Sequence, residues 1–167
     1  MTKTCCGKKK GKLSKTHYTI FVTSHEEAVT PTQVFQTLAT PLILHELGWK
    51  NKGYVFTMTT DEDACDISVT LTPNHIMKVL FPDFQEQKLS VCNMTTRDVF
   101  INELRWNRDI PDKSESNLVE YRSYVLNHEI GHALGFHHDK CKLKGEPAPI
   151  MLQQTLGLGG CVSNPFP

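Results

Sequence analysis

The most constraining feature of this chain is the run HEIGHALGFHH at residues 128–138. His128 and His132 lie four residues apart, so on an α-helix their side chains project from one shared face. A third residue of the same straight helix could not reach a point between them. Gly135 indicates where the helix stops, because glycine adopts the left-handed conformation without steric cost and would turn His138 back toward the other two.

Three imidazoles that converge in this way predict a zinc site with His128, His132 and His138 as its ligands. Three neutral nitrogen ligands leave a fourth position open for water, as in catalytic zinc sites. Zinc lowers the pKa of that water to roughly 7, and Glu129 can act on it as general base. We therefore expect a zinc-dependent endopeptidase that hydrolyses peptide bonds through a zinc-bound water activated by Glu129.

Three alternatives to this interpretation stay open. His137 lies one residue closer to the helix than the motif requires and competes with His138 as the third ligand. A catalytically silent binding module that keeps zinc for stability would have the same ligands but no role for Glu129. A zinc hydrolase that acts on a non-peptide amide would share both the ligands and the base.

The motif lies on a predicted helix over residues 118–135, whose apolar stripe consists of Leu126, Ile130, Ala133 and Leu134. A second helix is predicted to start at Thr30 as N-cap and Pro31 as its first residue, with a break or kink at Pro41.

Strand patterns occur at residues 17–24, 54–59, 67–71, 89–93 and 99–102. These elements predict a mixed α/β fold of the α+β type, with a twisted mixed sheet, a backing helix and the helix that carries the histidines. We expect residues 16–138 to form an upper subdomain and residues 139–167 a short, irregular lower subdomain.

The net charge of zero conceals an uneven distribution, because residues 1–15 carry six lysines and no acidic residue. Without those lysines, 12 basic and 18 acidic side chains remain, a net charge of −6. Such a body is unsuited to binding nucleic acid, which needs a basic face. No apolar run approaches the roughly 18 to 20 residues of a membrane span. We expect a monomer that acts on a peptide or protein substrate.

Residues 1–15 are expected to be a basic disordered tail, and no secretory signal is visible in them. Cys5 and Cys6 beside the lysines would alternatively allow a lipidated contact with a membrane surface. The compartment therefore stays open: the chain is intracellular, exported by another route, or already processed.

Six cysteines allow 15 disulfide pairings. Cys141 and Cys161 flank the predicted lower subdomain and are the first expected pair, with Cys65 and Cys92 as the second. Such bonds would indicate an oxidising destination, whereas four reduced thiols are the alternative.

The motif resembles that of the metzincin clan of zinc peptidases, which carry a methionine in a tight turn below the metal. The APIM sequence that ends at Met151 resembles that turn. Further segments extend the similarity over roughly residues 88–167 to a compact metzincin-like domain of unknown function common in actinobacteria. They are Asn102, Arg105-Trp106, YRSYVLNHEIGHALGFHH, QQT, GC and NPFP.

This resemblance implies a zinc cleft between the two subdomains and a sheet edge that pairs with an extended substrate. Residues 89–93 are the candidate edge. Several metzincins place a tyrosine two residues after the turn methionine, and here that residue is Gln153. The group that stabilises the oxyanion therefore stays open, with zinc alone, Gln153 or Gln154 as alternatives.

Overall fold

The structure, a computed structural model, describes residues 16–84, 89–107 and 116–167. The regular elements of these ranges are β1 (His17–Ser24), α1 (Thr32–Ile43), β2 (Val55–Thr59), β3 (Ile67–Thr72), α2 (Asn74–Leu80), β4 (Val91–Asn93), β5 (Asp98–Asn102), α3 (Glu103–Asn107) and α4 (Ser116–Ala133). Short 3₁₀ turns cover Trp49–Lys52 and Pro82–Phe84. No helix in the described part of the chain is both long and apolar enough to cross a bilayer. The predicted tail at residues 1–15 lies outside the described residues.

The strands form one mixed sheet in the order β2-β1-β3-β5-β4. Strands β2, β1, β3 and β5 are parallel to one another, whereas β4 at the edge runs antiparallel to β5. Across the centre of the sheet, Val22 pairs with Val69, and Val69 pairs with Val99. The expected mixed α/β fold is therefore confirmed, and the predicted strands coincide with β1 to β5 apart from their ends.

One face of the sheet carries the hydrophobic core, because alternate side chains of a strand point to the same face. The central strands bury Tyr18, Ile20, Val22, Ile67, Val69, Leu71, Val99 and Ile101 on this face. Helices α1 and α4 cover it and contact each other. They contribute Phe35, Ala39 and Ile43 from α1, and from α4 the predicted stripe Leu126, Ile130, Ala133 and Leu134. Helix α4 also contacts β4 and β5, so it is fixed beside the edge of the sheet.

The start of α1 is held by a distant carboxylate and not by the side chain that was expected to cap it. Glu103 accepts hydrogen bonds from the backbone N–H of Val29 at 3.2 Å and of Thr30 at 2.7 Å. No side-chain hydrogen bond caps α1 itself, so the predicted role of Thr30 as N-cap is wrong. The helix continues through Pro41 and ends at Ile43.

Residues 139–167 form turns and an isolated bridge between Pro147 and Val162 in place of regular elements. The N–H of Asp139 donates to the carbonyl of Met151 at 3.0 Å, which ties the chain leaving α4 to the later turn. The irregular character of this segment agrees with the expectation. Its division from residues 16–138 as a separate subdomain stays a prediction.

Cys141 and Cys161 form a disulfide with their Cα atoms 5.7 Å apart, which confirms the first expected pair. The second expected pair is wrong, because Cys65 and Cys92 are not joined by a disulfide. Cys65 lies just before β3 and Cys92 lies on β4, and β5 separates these two strands. Two strand spacings of roughly 4.8 Å exceed the Cα separation of about 7 Å that a disulfide tolerates.

Replacing both Cys141 and Cys161 by serine should lower the free energy of unfolding by about 3 kcal/mol, because the unfolded chain regains the entropy that closure of this loop removes. The two cysteines lie 20 residues apart in the chain. Urea unfolding of the metal-free protein measures the change. A reducing agent should shift the wild-type midpoint downward and leave the midpoint of the double variant unchanged. A wild-type midpoint that does not respond to reduction would contradict the prediction.

Candidate metal centre

Helix α4 presents His128 and His132 on one side, with their ring centroids 4.8 Å apart. The helix predicted over residues 118–135 is observed at Ser116–Ala133, so both histidines lie in its last two turns. His128 is buried and His132 is partly buried. Their spacing of four residues therefore places both rings at the same end of the helix.

The helix ends because Gly135 adopts a left-handed conformation with φ of 101°. Its N–H donates to the carbonyl of His132, and the N–H of Phe136 donates to the carbonyl of Gly131, each at 2.9 Å. These paired hydrogen bonds define a Schellman motif, which favours glycine at this position. The predicted turn of the chain after the helix is therefore observed at Gly135.

His138 returns to the two helical histidines after this turn. Its Nε2 lies 3.1 Å from Nε2 of His132, and its ring stacks on that of His128 with centroids 5.3 Å apart. One ligand atom from each of the three histidines lies within 4.8 Å of the others. The three histidines are therefore close enough together to bind one metal ion. His137 is not a member of this group.

Two backbone carbonyls orient the helical imidazoles. Nδ1 of His128 lies 2.8 Å from the carbonyl oxygen of Ile150, and Nδ1 of His132 lies 2.8 Å from that of Phe136. A carbonyl oxygen only accepts, so each Nδ1 carries a proton and each neutral ring keeps the lone pair of Nε2 for a ligand.

The separation of one pair of these nitrogens fits a shared zinc ion. Two nitrogens that both lie ~2.0 to 2.1 Å from one tetrahedral ion are about 3.3 Å apart. The Nε2 atoms of His132 and His138 are 3.1 Å apart. Nitrogen donors at this spacing suit zinc, although other transition metals accept imidazole as well.

Burial lowers the pKa of all three histidines. The pKa of His128 falls to about 4, mainly through burial, with the neighbouring His132 and His138 adding to the effect. Burial is also the main reason that the pKa values of His132 and His138 are lowered. At neutral pH the rings are therefore uncharged, which is the form that binds metal ions.

Glu129 lines the same cleft as the histidines although its side chain is largely buried, with 5% of the residue exposed. Burial raises the pKa of its carboxyl group to about 8. A divalent cation nearby would favour the charged carboxylate and lower this pKa. Buried carboxyl groups with strongly shifted pKa values in clefts are typical of functional sites.

A tight turn at residues 149–152 lies against α4 and supplies the carbonyl that binds His128. Met151 of this turn is buried and packs against Gly131. A Cβ atom at Gly131 would lie 2.5 Å from Sδ of Met151 and 2.7 Å from Cζ2 of Trp49. The turn therefore approaches the helix this closely because residue 131 has no side chain.

A cleft of about 230 Å³ opens beside the histidines. The edge strand β4 and the residues next to it form one wall, α4 forms another, and the segment after residues 149–152 completes it. The lining includes Leu89, Val91, Met94, Tyr121, Val125 and Gln153. Among the described residues of this lining, Glu129 is the only one with a carboxylic acid side chain, and none is a lysine or an arginine. Away from Glu129 and the histidines, the cleft therefore suits an uncharged group.

Tyr124 is a residue of the site that was not identified from the sequence. Its hydroxyl donates to the carbonyl of Leu152 at 3.1 Å and accepts from the N–H of Gln154 at 2.9 Å, so it holds the backbone on both sides of Gln153. Burial is the main cause that raises its pKa well above the usual range, which keeps the hydroxyl protonated. Its position one helical turn before His128 is the signal that could have identified it.

The two glutamines that are candidate oxyanion donors differ in their contacts. Gln153 lines the cleft. Gln154 instead donates from Nε2 to the carbonyl of Asn164 at 2.8 Å and accepts the N–H of Asn164 at 3.1 Å. Both the nitrogen and the oxygen of the Gln154 side-chain amide are therefore engaged in hydrogen bonds with the backbone of Asn164.

Replacing Gly131 by alanine should lower the free energy of unfolding by about 1 to 3 kcal/mol, because the new methyl group meets Met151 and Trp49. In an unobstructed helix the same change stabilises by roughly 1 kcal/mol, so the expected sign is opposite to that of helix propensity. Thermal and urea unfolding of the metal-free protein measure the effect. The change Glu120→Ala on the exposed side of α4 is the control and should leave stability nearly unchanged. A more stable Gly131→Ala variant would contradict the packing described here.

Comparison with known proteins identifies the family of this chain. No curated protein matches the chain. A family model described as "Protein of unknown function" (DUF3152) matches residues 4–163. Since this match spans nearly all of the 167 residues, the chain belongs to that uncharacterised family.

Proposed function

We propose that this chain is a zinc-dependent endopeptidase in which His128, His132 and His138 hold the metal and Glu129 is the general base. The observation that carries the proposal is the convergence of three imidazole nitrogens beside a buried carboxyl group at a cleft. Each of the three rings is neutral at pH 7, and two of them are oriented by carbonyl groups. This combination is typical of a catalytic metal centre and not of an incidental group of histidines.

A zinc ion bound there would supply Lewis-acid chemistry, which acidifies water and polarises a carbonyl group. His128 and His132 offer Nε2 because their Nδ1 atoms are engaged with carbonyls. His138 completes the set from outside the helix, so three protein ligands leave room for a substrate or water.

Glu129 is assigned the proton transfers. Its carboxylate accepts a proton from the attacking water and then donates that proton to the nitrogen of the leaving amine, so the carboxylate is regenerated. The low exposure of Glu129 favours this role, because a carboxyl group shielded from bulk water exchanges its proton with groups inside the cleft.

The substrate is proposed to be an extended peptide that pairs with β4. This strand is the last in the sheet order, and its residues line the cleft together with α4. Strand addition recognises the peptide backbone through main-chain hydrogen bonds, and neighbouring pockets select the side chains. The uncharged lining around Leu89, Met94, Tyr121 and Val125 favours an apolar side chain near the bond that is cleaved.

A relationship to the metzincin clan is part of the proposal. It is supported by the turn at Gly135 and by the methionine turn packed against α4 at Gly131. The position of Gln153 in the cleft makes it the proposed oxyanion donor in place of the tyrosine of several metzincins.

An oxidising destination is proposed from the Cys141–Cys161 disulfide, because such bonds persist mainly outside reducing compartments.

Replacing His128, His132 or His138 by alanine should strongly weaken zinc binding, because each change leaves two of the three ligands. Zinc content per chain after dialysis against a weak chelator measures this. His137→Ala is the matched control, since His137 is adjacent to His138 but outside the group of three. Retention of zinc by His138→Ala together with its loss from His137→Ala would show that the third ligand is misassigned.

Replacing Glu129 by glutamine should reduce kcat/KM for peptide cleavage by about 10² to 10⁴-fold, because the amide cannot accept the proton from water. Zinc content should stay at the wild-type level. Cleavage of a peptide library, with a panel of small non-peptide amides in parallel, provides the substrate and the measurement. Glu120→Gln on the exposed side of α4 is the matched control and should keep full activity.

A zinc-loaded wild-type protein that cleaves no peptide and no amide would contradict the proposal and favour the zinc-stabilised binding module. Cleavage of the small amides alone would favour the non-peptide hydrolase.

A further inference from the structure

Asn164 joins the two sides of the segment that carries the methionine turn. Its side-chain Nδ2 donates to the carbonyl of Ala148 at 2.9 Å, before the turn. Its backbone N–H and carbonyl bind the side-chain amide of Gln154, after the turn, at 3.1 and 2.8 Å. One residue therefore closes the loop formed by residues 148–154.

The loop that Asn164 closes contacts His128 and the residue that follows His138. The carbonyl of Ile150 accepts the hydrogen bond from Nδ1 of His128 at 2.8 Å. The carbonyl of Met151 accepts the N–H of Asp139, the residue after His138, at 3.0 Å. A change in the shape of the loop would therefore move the carbonyl that orients His128 and the backbone beside His138.

The two residues that follow Asn164 fix it in relation to α4 and to the segment after α1. Asn127, which precedes His128 in the helix, donates from Nδ2 to the carbonyl of Pro165 at 3.0 Å and to that of Ser123 at 2.9 Å. The ring of Phe166 stacks on that of His45 with centroids 4.7 Å apart. Asn164 is thus anchored to the same helix whose histidines it would position through the loop.

We propose that Asn164 is a positioning residue of the metal centre, which acts through residues 148–154 to hold the carbonyl of Ile150 against Nδ1 of His128. This inference depends on the metal site of the proposed function but not on its enzymatic activity. Loss of a group that orients a metal-bound histidine typically weakens metal affinity by roughly 10 to 100-fold. A comparable loss is expected when Asn164 no longer holds the loop.

The test measures the affinity for Zn²⁺ by competition with a chromophoric chelator, at a temperature well below the unfolding midpoint of every variant. Asn164→Ala should weaken binding by about 10-fold or more. Gln154→Met, which removes the hydrogen bonds to the backbone of Asn164, should weaken it as well. Because both changes open the same loop, although through different hydrogen bonds, the double variant should lose less than the product of the two single losses.

Asn107→Ala is the matched control. Asn107 is also partly buried and donates from its side chain, to the hydroxyl of Thr30 at 3.1 Å, but it lies at the end of α3. This variant should lose stability and keep wild-type affinity for Zn²⁺. The visible absorption of bound Co²⁺ gives a second measurement, and its bands should change shape in Asn164→Ala but not in Asn107→Ala.

Three results would overturn the inference. Wild-type Zn²⁺ affinity and an unchanged Co²⁺ spectrum in Asn164→Ala would contradict it and leave the metal site intact. An equal loss of affinity in Asn107→Ala would show that general destabilisation is the cause. Failure of the wild-type chain to bind either ion would contradict the proposed metal site and this inference together.

Discussion

The hydrogen bonds from the Nδ1 atoms of His128 and His132 to two backbone carbonyls are the contacts on which the candidate site depends. They leave Nε2 of each ring available to a metal ion. They also require two separate non-helical segments beside α4, each with a carbonyl group at the right place. One carbonyl, that of Phe136, is available because Gly135 ends the helix. The other, that of Ile150, is available because the absence of a side chain at Gly131 lets the turn at residues 149–152 approach the helix.

The sheet determines where this arrangement opens to solvent. Helix α4 packs on the core face and contacts β4 and β5, so its histidines lie beside the antiparallel edge of the sheet. The buried apolar side chains of β1, β3 and β5 hold the helix in place, and the cleft lies between the helix and β4. Fold and site are therefore linked through a single helix, one side of which is core and the other the candidate metal centre.

Much of this arrangement could be predicted because it is encoded by local patterns. The spacing of His128 and His132, the glycine at residue 135 and the alternating strand residues each follow from the geometry of one element. Contacts between distant segments were not accessible in this way. The strand order is needed to see that Cys65 and Cys92 cannot pair. The hydrogen bond between Glu103 and the backbone before α1 joins residues more than 70 positions apart. Tyr124 and Asn164 likewise act through backbone groups that no side-chain motif reveals.

X-ray absorption spectroscopy of the zinc-loaded chain would show whether the three imidazoles share one zinc ion. We expect a four-coordinate ion with nitrogen or oxygen neighbours at about 2.0 to 2.1 Å and multiple-scattering features that correspond to three imidazole rings. Sulfur neighbours at about 2.3 Å, or scattering from fewer than three rings, would contradict it.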